Sequence, residues 1–350
     1  MRSKSRGFLF CTAMKSVQVL FLVLFLTNTS LRLLRGDAPL ILDYYKETCP
    51  HAEDIVRRIV EIAVLKDPRM AASLLRLHFH DCFVMGCDGS VLLDNYGGML
   101  SEKQAGPNLN SLRGFEVIDE IKYVLEDACP ATVSCADILA LAARDAVVLR
   151  GGPGWGVDLG RRDSLTASFN GANQFIPAPN STLDTLIANF QQQGLDIGDL
   201  VALSGSHTLG KARCLSFRQR IYDNNVEEKF GYHERDEHYI KSLRSLCPQS
   251  GGNNVLAPLD LVTPARFDNH YFINLIEGRG LLISDNVLFD QDLHWEIRKH
   301  VFAYAANQDY FFESFVNSMI KMGNINVLTG VNGEIRRNCR YANSYTNGKK

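Results

Sequence analysis

Apolar residues recur at three- and four-residue spacing along most of this chain, a period that predicts a helical protein. The pattern places helices over Ala52–Leu65, Ala71–Phe83, Phe115–Asp127, Cys135–Leu149, Thr182–Gln193 and Ile197–Leu203. It returns over Arg213–Tyr222, Asp268–Ile276, His294–Ala306 and Tyr310–Met322. Pro50, Pro130, Pro153 and the glycines at 151–152, 194 and 251–252 punctuate the pattern, and Asp309 reads as a helix start. Strand-like runs are short, at Val327-Leu328 and Glu334-Ile335. Glu227–Glu237, dense in charge, reads as a solvated loop, and His233 and His238 as surface residues rather than metal ligands. No repeat or low-complexity linker interrupts the chain. The expected class is mainly α, about ten helices with minor strands.

The second helix carries the chemistry. Arg76, Phe79 and His80 stand at i, i+3 and i+4 and share a face, while His78 points away. A guanidinium that keeps its proton, beside an imidazole that can lose one, suits stabilising a developing anion while moving a proton. Asp81, Asp88 and Ser90 then offer oxygen ligands around a glycine-containing turn, the donor type of a hard cation such as Ca²⁺. Two other readings stand beside this one. One is an amphipathic helix with a solvated acidic loop. The other is a zinc hydrolase built on His78 and His80, which helical geometry sets about 200° apart.

His207 ends an apolar helix between Gly205 and Gly210, which leave little side-chain bulk along the chain around it. Taken alone, such a histidine is a structural hydrogen bonder or a favourable charge at the helix C-terminus rather than a ligand. Asp285 alone would be a helix cap or turn residue, and Asn108 a turn residue.

Arg2, Lys4, Arg6 and Lys15 precede the apolar run Val17–Leu26 and the polar Thr27–Ser30. That order reads as a secretory signal peptide over residues 1–36, cut between 30 and 38. Ten residues rise only about 15 Å as a helix, too short for a membrane anchor. Six Lys/Arg and no Asp/Glu leave with the segment, so the formal charge moves from −2 to −8. An acidic surface excludes a nucleic-acid footprint. Of nine cysteines, Cys11 lies in the presequence, leaving eight; without C-x₂-C clusters, disulfides are expected over zinc. Eight cysteines allow 105 pairings, and spacing does not choose among them.

The run Arg76-Leu-His-Phe-His-Asp-Cys-Phe-Val-Met-Gly-Cys-Asp-Gly-Ser90 resembles the distal haem motif of the plant secretory (class III) haem peroxidases. Asp199-Leu-Val-Ala-Leu-Ser-Gly-Ser-His-Thr208 is similar to their proximal motif. Thr48-Cys-Pro50, Val133-Ser-Cys-Ala-Asp137, Arg266-Phe-Asp-Asn269 and Gly323 to Cys339 follow in family order, so the resemblance spans about Tyr44 to Arg340.

The resemblance implies a haem peroxidase domain over 37–350, two lobes with one haem b between them. His80 would be the acid/base, Arg76 its electrostatic partner and Asn108 the acceptor for its second nitrogen, with Phe79 shielding the iron. His207 would be the axial ligand and Asp285 its partner. It implies two calcium ions. One takes Asp81, Asp88 and Ser90 with the carbonyls of Val84 and Gly86, and Glu102 through water; the other takes Thr208, Asp260, Thr263 and Asp268 with the Arg266 carbonyl. Met85 departs from many relatives, which carry a polar residue there, and Ser216 from some, which place an aromatic there. The implied disulfides are Cys49–Cys129, Cys82–Cys87, Cys135–Cys339 and Cys214–Cys247. Pro177, in Ile176-Pro-Ala-Pro179, would line the donor site, beside the N-glycan sequon Asn180-Ser-Thr182. The implied activity is one-electron oxidation of phenolic donors by hydrogen peroxide, serving wall phenolics and lignin or peroxide removal. The implied molecule is a monomer, free of the membrane after signal cleavage. Only eleven residues follow Cys339, which favours the apoplast over the vacuole. A non-catalytic wall-binding protein on the same fold is the alternative of a different class.

Overall fold

A computed structural model describes residues 38–223, 236–290 and 295–347. The expected signal segment and most of Glu227–Glu237, with His233, lie outside them.

Fourteen α-helices dominate the described residues, against about ten expected for the chain. In chain order they are α1 (Ala52–Lys66), α2 (Met70–Cys82), α3 (Phe115–Ala128), α4 (Cys135–Leu149), α5 (Phe169–Phe175), α6 (Leu183–Gln192) and α7 (Ile197–Ser204). Then follow α8 (Cys214–Tyr222), α9 (Glu237–Leu246), α10 (His270–Ile276), α11 (Ile283–Asp290), α12 (Trp295–Ala306), α13 (Gln308–Gly323) and α14 (Asn343–Asn347). The ten expected helices are present within a few residues at each end. The four additional ones are α5, α9, α11 and α14. Glu237 and His238 open α9, capped by Asp236, and so do not belong to a loop.

Polar residues just outside the apolar stripes set the starts. Ser134 accepts from Asp137 N at 3.0 Å, and Asp196 and Asp199 form a reciprocal capping box. Asn307, not Asp309, caps α13, accepting from Tyr310 N at 3.1 Å. Among the described residues the sheet content is one antiparallel pair, β1 (Lys211–Arg213) and β2 (Leu256–Pro258). Leu328 and Glu334 form only isolated bridges, to Arg162 and Asp163.

One large apolar core runs through α1–α4 and on through α7 and α10–α13. α4 is its axis: nearly every residue from Cys135 to Val147 is buried, and α1, α2 and α3 pack around it. α13 packs on α7, and α12 on α10, in the C-terminal half. A smaller core joins α8, α9 and β2.

All four expected disulfides form: Cys49–Cys129, Cys82–Cys87, Cys135–Cys339 and Cys214–Cys247. Cys135–Cys339 ties the start of α4 to the C-terminal segment across 204 residues. Among the described residues no helix is long and apolar enough to cross a membrane.

Candidate active site

α2 is buried on most sides, but Ala72, Arg76 and Phe79 are partly exposed along one face, four and three residues apart. Arg76 Nε donates to His80 Nε2 at 3.0 Å, and Phe79 meets the His80 ring edge-on. The guanidinium is held from its other side: Nη2 donates to Pro107 O at 2.9 Å and Ser111 Oγ at 3.2 Å, and Nη1 to Ser111 O at 3.2 Å. Burial first, then the like charge of Arg213, lowers Arg76 to about 10, so it remains a cation at neutral pH.

His80 Nδ1 lies 2.6 Å from Asn108 Oδ1, while Asn108 Nδ2 donates to Glu102 O at 2.9 Å. The amide is thereby oriented with its oxygen toward the imidazole, so Nδ1 carries the proton and Nε2 is the acceptor. Burial and the Arg76 charge hold His80 well below the usual histidine range, against the opposing pull of Asn108. At neutral pH it is an uncharged base.

His78 faces the other way. It packs beside the Cys82 sulfur, and burial followed by the Arg161 charge lowers it to about 3. His78, Cys82 and Cys87 are the one tight His/Cys/carboxylate cluster among the described residues, and both sulfurs are spent in a disulfide. A zinc site on His78 and His80 is therefore not assembled.

His207 sits in a 3-10 turn, Gly205–Thr208, that extends α7. The two glycines also have packing roles. A Cβ on Gly205 would come within 2.5 Å of Phe311, and one on Gly210, at φ +104°, would lie 3.1 Å from Ala72 Cβ, so the backbone there runs close to α2. That contact lays the residues after His207 against the open face of α2. His207 Nδ1 is 2.7 Å from Asp285 Oδ1, which leaves Nε2 as the nitrogen available to a metal. Asp285 is 2 % exposed and accepts also from Leu282 N and the Tyr271 hydroxyl, both at 3.1 Å. It caps its own turn and partners the histidine at once. Burial and the Asp285 charge push the Tyr271 phenol far up, so it stays a donor.

Two clusters of buried oxygens flank these histidines in sequence. In the first, Gly89 N donates to Asp81 Oδ2 at 2.9 Å, and Ser90 N to Asp88 Oδ1 at 3.0 Å. Gly86, at φ +126°, turns the chain where any side chain would strike Asn326 O, and its carbonyl accepts from Asp88 N. Met85 is exposed, and Val84 is buried. Glu102 Oε1 accepts from Ser168 N, but Glu102 Oε2 and Ser90 Oγ are buried with no partner. Burial, reinforced by the neighbouring Asp88 charge, pushes Asp81 far up; burial also raises Asp88 to about 6 and Glu102 to about 8. Ser90 lies near enough to ease the last two shifts without forming a bond of its own.

In the second cluster Thr208 Oγ1 lies 3.2 Å from Asp260 Oδ2 and 3.3 Å from both Asp268 Oδ1 and Arg266 O. Thr263 Oγ1 is 2.9 Å from Asp268 Oδ1. One hydroxyl proton cannot serve three acceptors, and Asp268 Oδ2 is buried without a hydrogen bond. Both clusters are oxygen-only, carry excess negative charge and hold orphaned oxygens, so their donor chemistry fits Ca²⁺. The ring nitrogen left at His207, backed by a carboxylate through Nδ1, likewise fits a haem iron.

Ile176-Pro-Ala-Pro179 links α5 to α6, with Ile176 buried and Pro177 half-buried. Ser284 N donates to Pro179 O, tying this segment to the turn of α11 that holds Asp285. Asn180 is exposed, its Nδ2 3.4 Å from Gln219 Oε1 on α8, near the half-buried Ser216. Sequence reasoning passed over Ser111, Tyr271 and Asn274. No local signal tells which loop serine or which buried residue of α10 will face a charge elsewhere in the chain.

The family model described as Peroxidase matches residues 56–307. Among curated proteins, the chain is 66 % identical to Peroxidase 20 of Arabidopsis thaliana over 333 residues, 94 % of this chain and 98 % of that one. It is 57 % identical to Peroxidase 9 over 304 residues, 86 % of each chain. Peroxidase 72, also from Arabidopsis thaliana, is 56 % identical over 300 residues, 86 % of this chain and 88 % of the relative.

Proposed function

The chain belongs to the peroxidase family, and from that premise we propose a secreted enzyme that binds one haem b between His80 and His207 and two calcium ions. It uses hydrogen peroxide to oxidise phenolic donors one electron at a time. The observation that carries this reading is the contrast between the two histidine partners. An amide oxygen faces His80 Nδ1 at 2.6 Å, and a carboxylate faces His207 Nδ1 at 2.7 Å. A neutral acceptor keeps His80 a neutral base, whereas an anionic one makes His207 a stronger donor through Nε2.

Haem, when bound, would supply the iron at which the O–O bond breaks and would hold the two oxidising equivalents taken from peroxide until donors accept them. His80 Nε2 takes the proton of the attacking peroxide oxygen and returns it to the oxygen that leaves as water. Arg76 Nε already donates to Nε2, so the peroxide hydroxyl takes over that hydrogen bond and the guanidinium turns to the departing oxygen. Pro107 and Ser111 anchor the rest of the guanidinium, limiting its movement. Asn108 holds the proton on Nδ1 throughout, and Phe79 shields the iron from donors.

Asp81, Val84, Gly86, Asp88, Ser90 and Glu102 hold the distal calcium, and Thr208, Asp260, Thr263, Arg266 and Asp268 the proximal one. Pro177 lines the donor entrance, where a glycan on Asn180 limits donor size. Residues 1–36 are removed on export, and the mature monomer acts in the apoplast, on wall phenolics or in removing peroxide. Purified holoenzyme, given peroxide and a panel of ferulate, a monolignol and a tyrosine peptide, should oxidise at least one small phenol well above a free-haem control. No turnover of any donor by folded, haem-loaded protein would favour the wall-binding alternative.

A further inference from the structure

We propose that Tyr271 is a positioning and tuning residue for the axial histidine, acting through Asp285 to limit how much electron density His207 gives the iron. The inference rests on the haem reading above and deepens it. The Tyr271 hydroxyl donates at 3.1 Å to Asp285 Oδ1, the same oxygen that faces His207 Nδ1 at 2.7 Å. Leu282 N occupies the other oxygen. The Tyr271 and His207 rings also meet edge to face, 6.1 Å between centroids. Tyr271 is 1 % exposed, so no solvent competes for the hydroxyl.

Two donors on one carboxylate oxygen divide its charge. Each makes that oxygen a weaker acceptor for the other, so the phenol lessens the pull on the His207 Nδ1–H proton. The ring becomes less imidazolate-like and its Nε2 a weaker donor. The ferric state, which gains most from a strong donor, is then favoured less than with Asp285 alone.

The phenol is held in place by its helix. Tyr271 and Asn274 lie at i and i+3 on α10, and Asn274 Nδ2 donates at 3.0 Å to Asp260 Oδ1 in the proximal oxygen cluster. One short helix thus touches the carboxylate behind His207 with one side chain and the cation cluster with another. Phe272, between them, packs into the core against Phe311.

The test is Tyr271→Phe, which keeps the ring and removes only the donor. Relative to wild type, the ferric/ferrous midpoint should become more negative, and the iron–histidine stretch of the ferrous protein should move to higher frequency. Asp285→Asn should shift both the opposite way, and Tyr271→Phe in that background should have much less effect, because the charge it modulates is gone. Fluorotyrosine placed at 271 is a stronger donor of nearly the same size, and should raise the midpoint. A purely structural tyrosine would leave potential and stretch unmoved in both substitutions, and that result, with haem bound normally, overturns the proposal. Equal shifts in the wild-type and Asp285→Asn backgrounds would overturn it too. Failure of the wild-type protein to coordinate haem through a histidine would instead sink the haem reading on which the proposal rests.

Discussion

Replacing His80 with leucine should slow the reaction with hydrogen peroxide by about 10²–10⁴-fold, the usual worth of general acid–base catalysis, or more where the base acts with a cation in one step. The buried face of α2 accepts an apolar side chain of similar reach, so the haem absorption band should persist. Loss should fall on the second-order rate with peroxide in stopped-flow traces, not on later reduction by donors. Two features of the site make the loss large. Nε2 has its acceptor role fixed by the Asn108 contact at Nδ1, and Arg76 stands 3.0 Å away. Burial and the Arg76 charge depress the His80 pKa, so the wild-type rate should hold well into the acid range before protonation removes the base. A leucine variant that reacts with peroxide at nearly the wild-type rate would take His80 out of the mechanism.

Stripping calcium should cost stability and activity together. Binding to the native state alone contributes RT ln(1 + [L]/Kd), about 4 kcal/mol at a thousandfold excess over Kd. The buried carboxyls also give the calcium-free protein a distinctive pH response. Glu102 is raised to about 8 and Asp81 far up, so the cation-free native state holds protons that the unfolded chain has released. Stability should therefore fall as pH rises from about 6.5 to about 8, because the native state binds more protons there than the unfolded one. His78 and His80, both lowered from 6.5, are half protonated only in the unfolded chain at about pH 6.5, so they oppose the trend at the lower end of that window and drop out of it by about pH 7.5. Calcium replaces those protons, so the loaded protein should show a flatter profile. Asp260→Ala should lower the melting temperature and change the haem spin state, since Thr208 contacts Asp260 and is covalently next to His207. Asp88→Ala should chiefly slow peroxide activation, through Asp81 beside His80. Verified removal of calcium with melting temperature, spectrum and rate all unchanged would contradict both sites.

The helices were legible where a polar cap meets a periodic stripe. Ser134 ahead of Cys135–Leu149 marks that start, whereas Thr182 caps α6 from outside a helix expected to begin with it, and Asn307 caps α13 where Asp309 was expected to. α11 gave no stripe because nearly every described side chain in it is buried. α5, Phe-Asn-Gly-Ala-Asn-Gln-Phe, is short, has weak helix formers at five of its seven positions and is held by Ser168 at its start. β1 and β2 are three residues each, shorter than any period can reveal. Within the site, Arg76 and His80 follow from helical spacing alone. Asn108 and Asp285 look like turn residues locally, and only the family resemblance pointed to them, because their partners lie 28 and 78 residues away. Tyr271 had neither signal, since a buried tyrosine on an apolar helix looks like core until its hydroxyl is seen against Asp285.

The central claim is that this chain holds a histidine-ligated haem whose open side reacts with peroxide. The absorption spectrum of the purified, haem-loaded protein, recorded before and after a single equivalent of hydrogen peroxide and again after adding a phenol, tests it most directly. The expected result is a Soret band at one haem per chain that changes within the mixing time and returns to its starting form as the phenol is consumed. Folded protein that takes up no haem, or a Soret band indifferent to peroxide, would contradict the account.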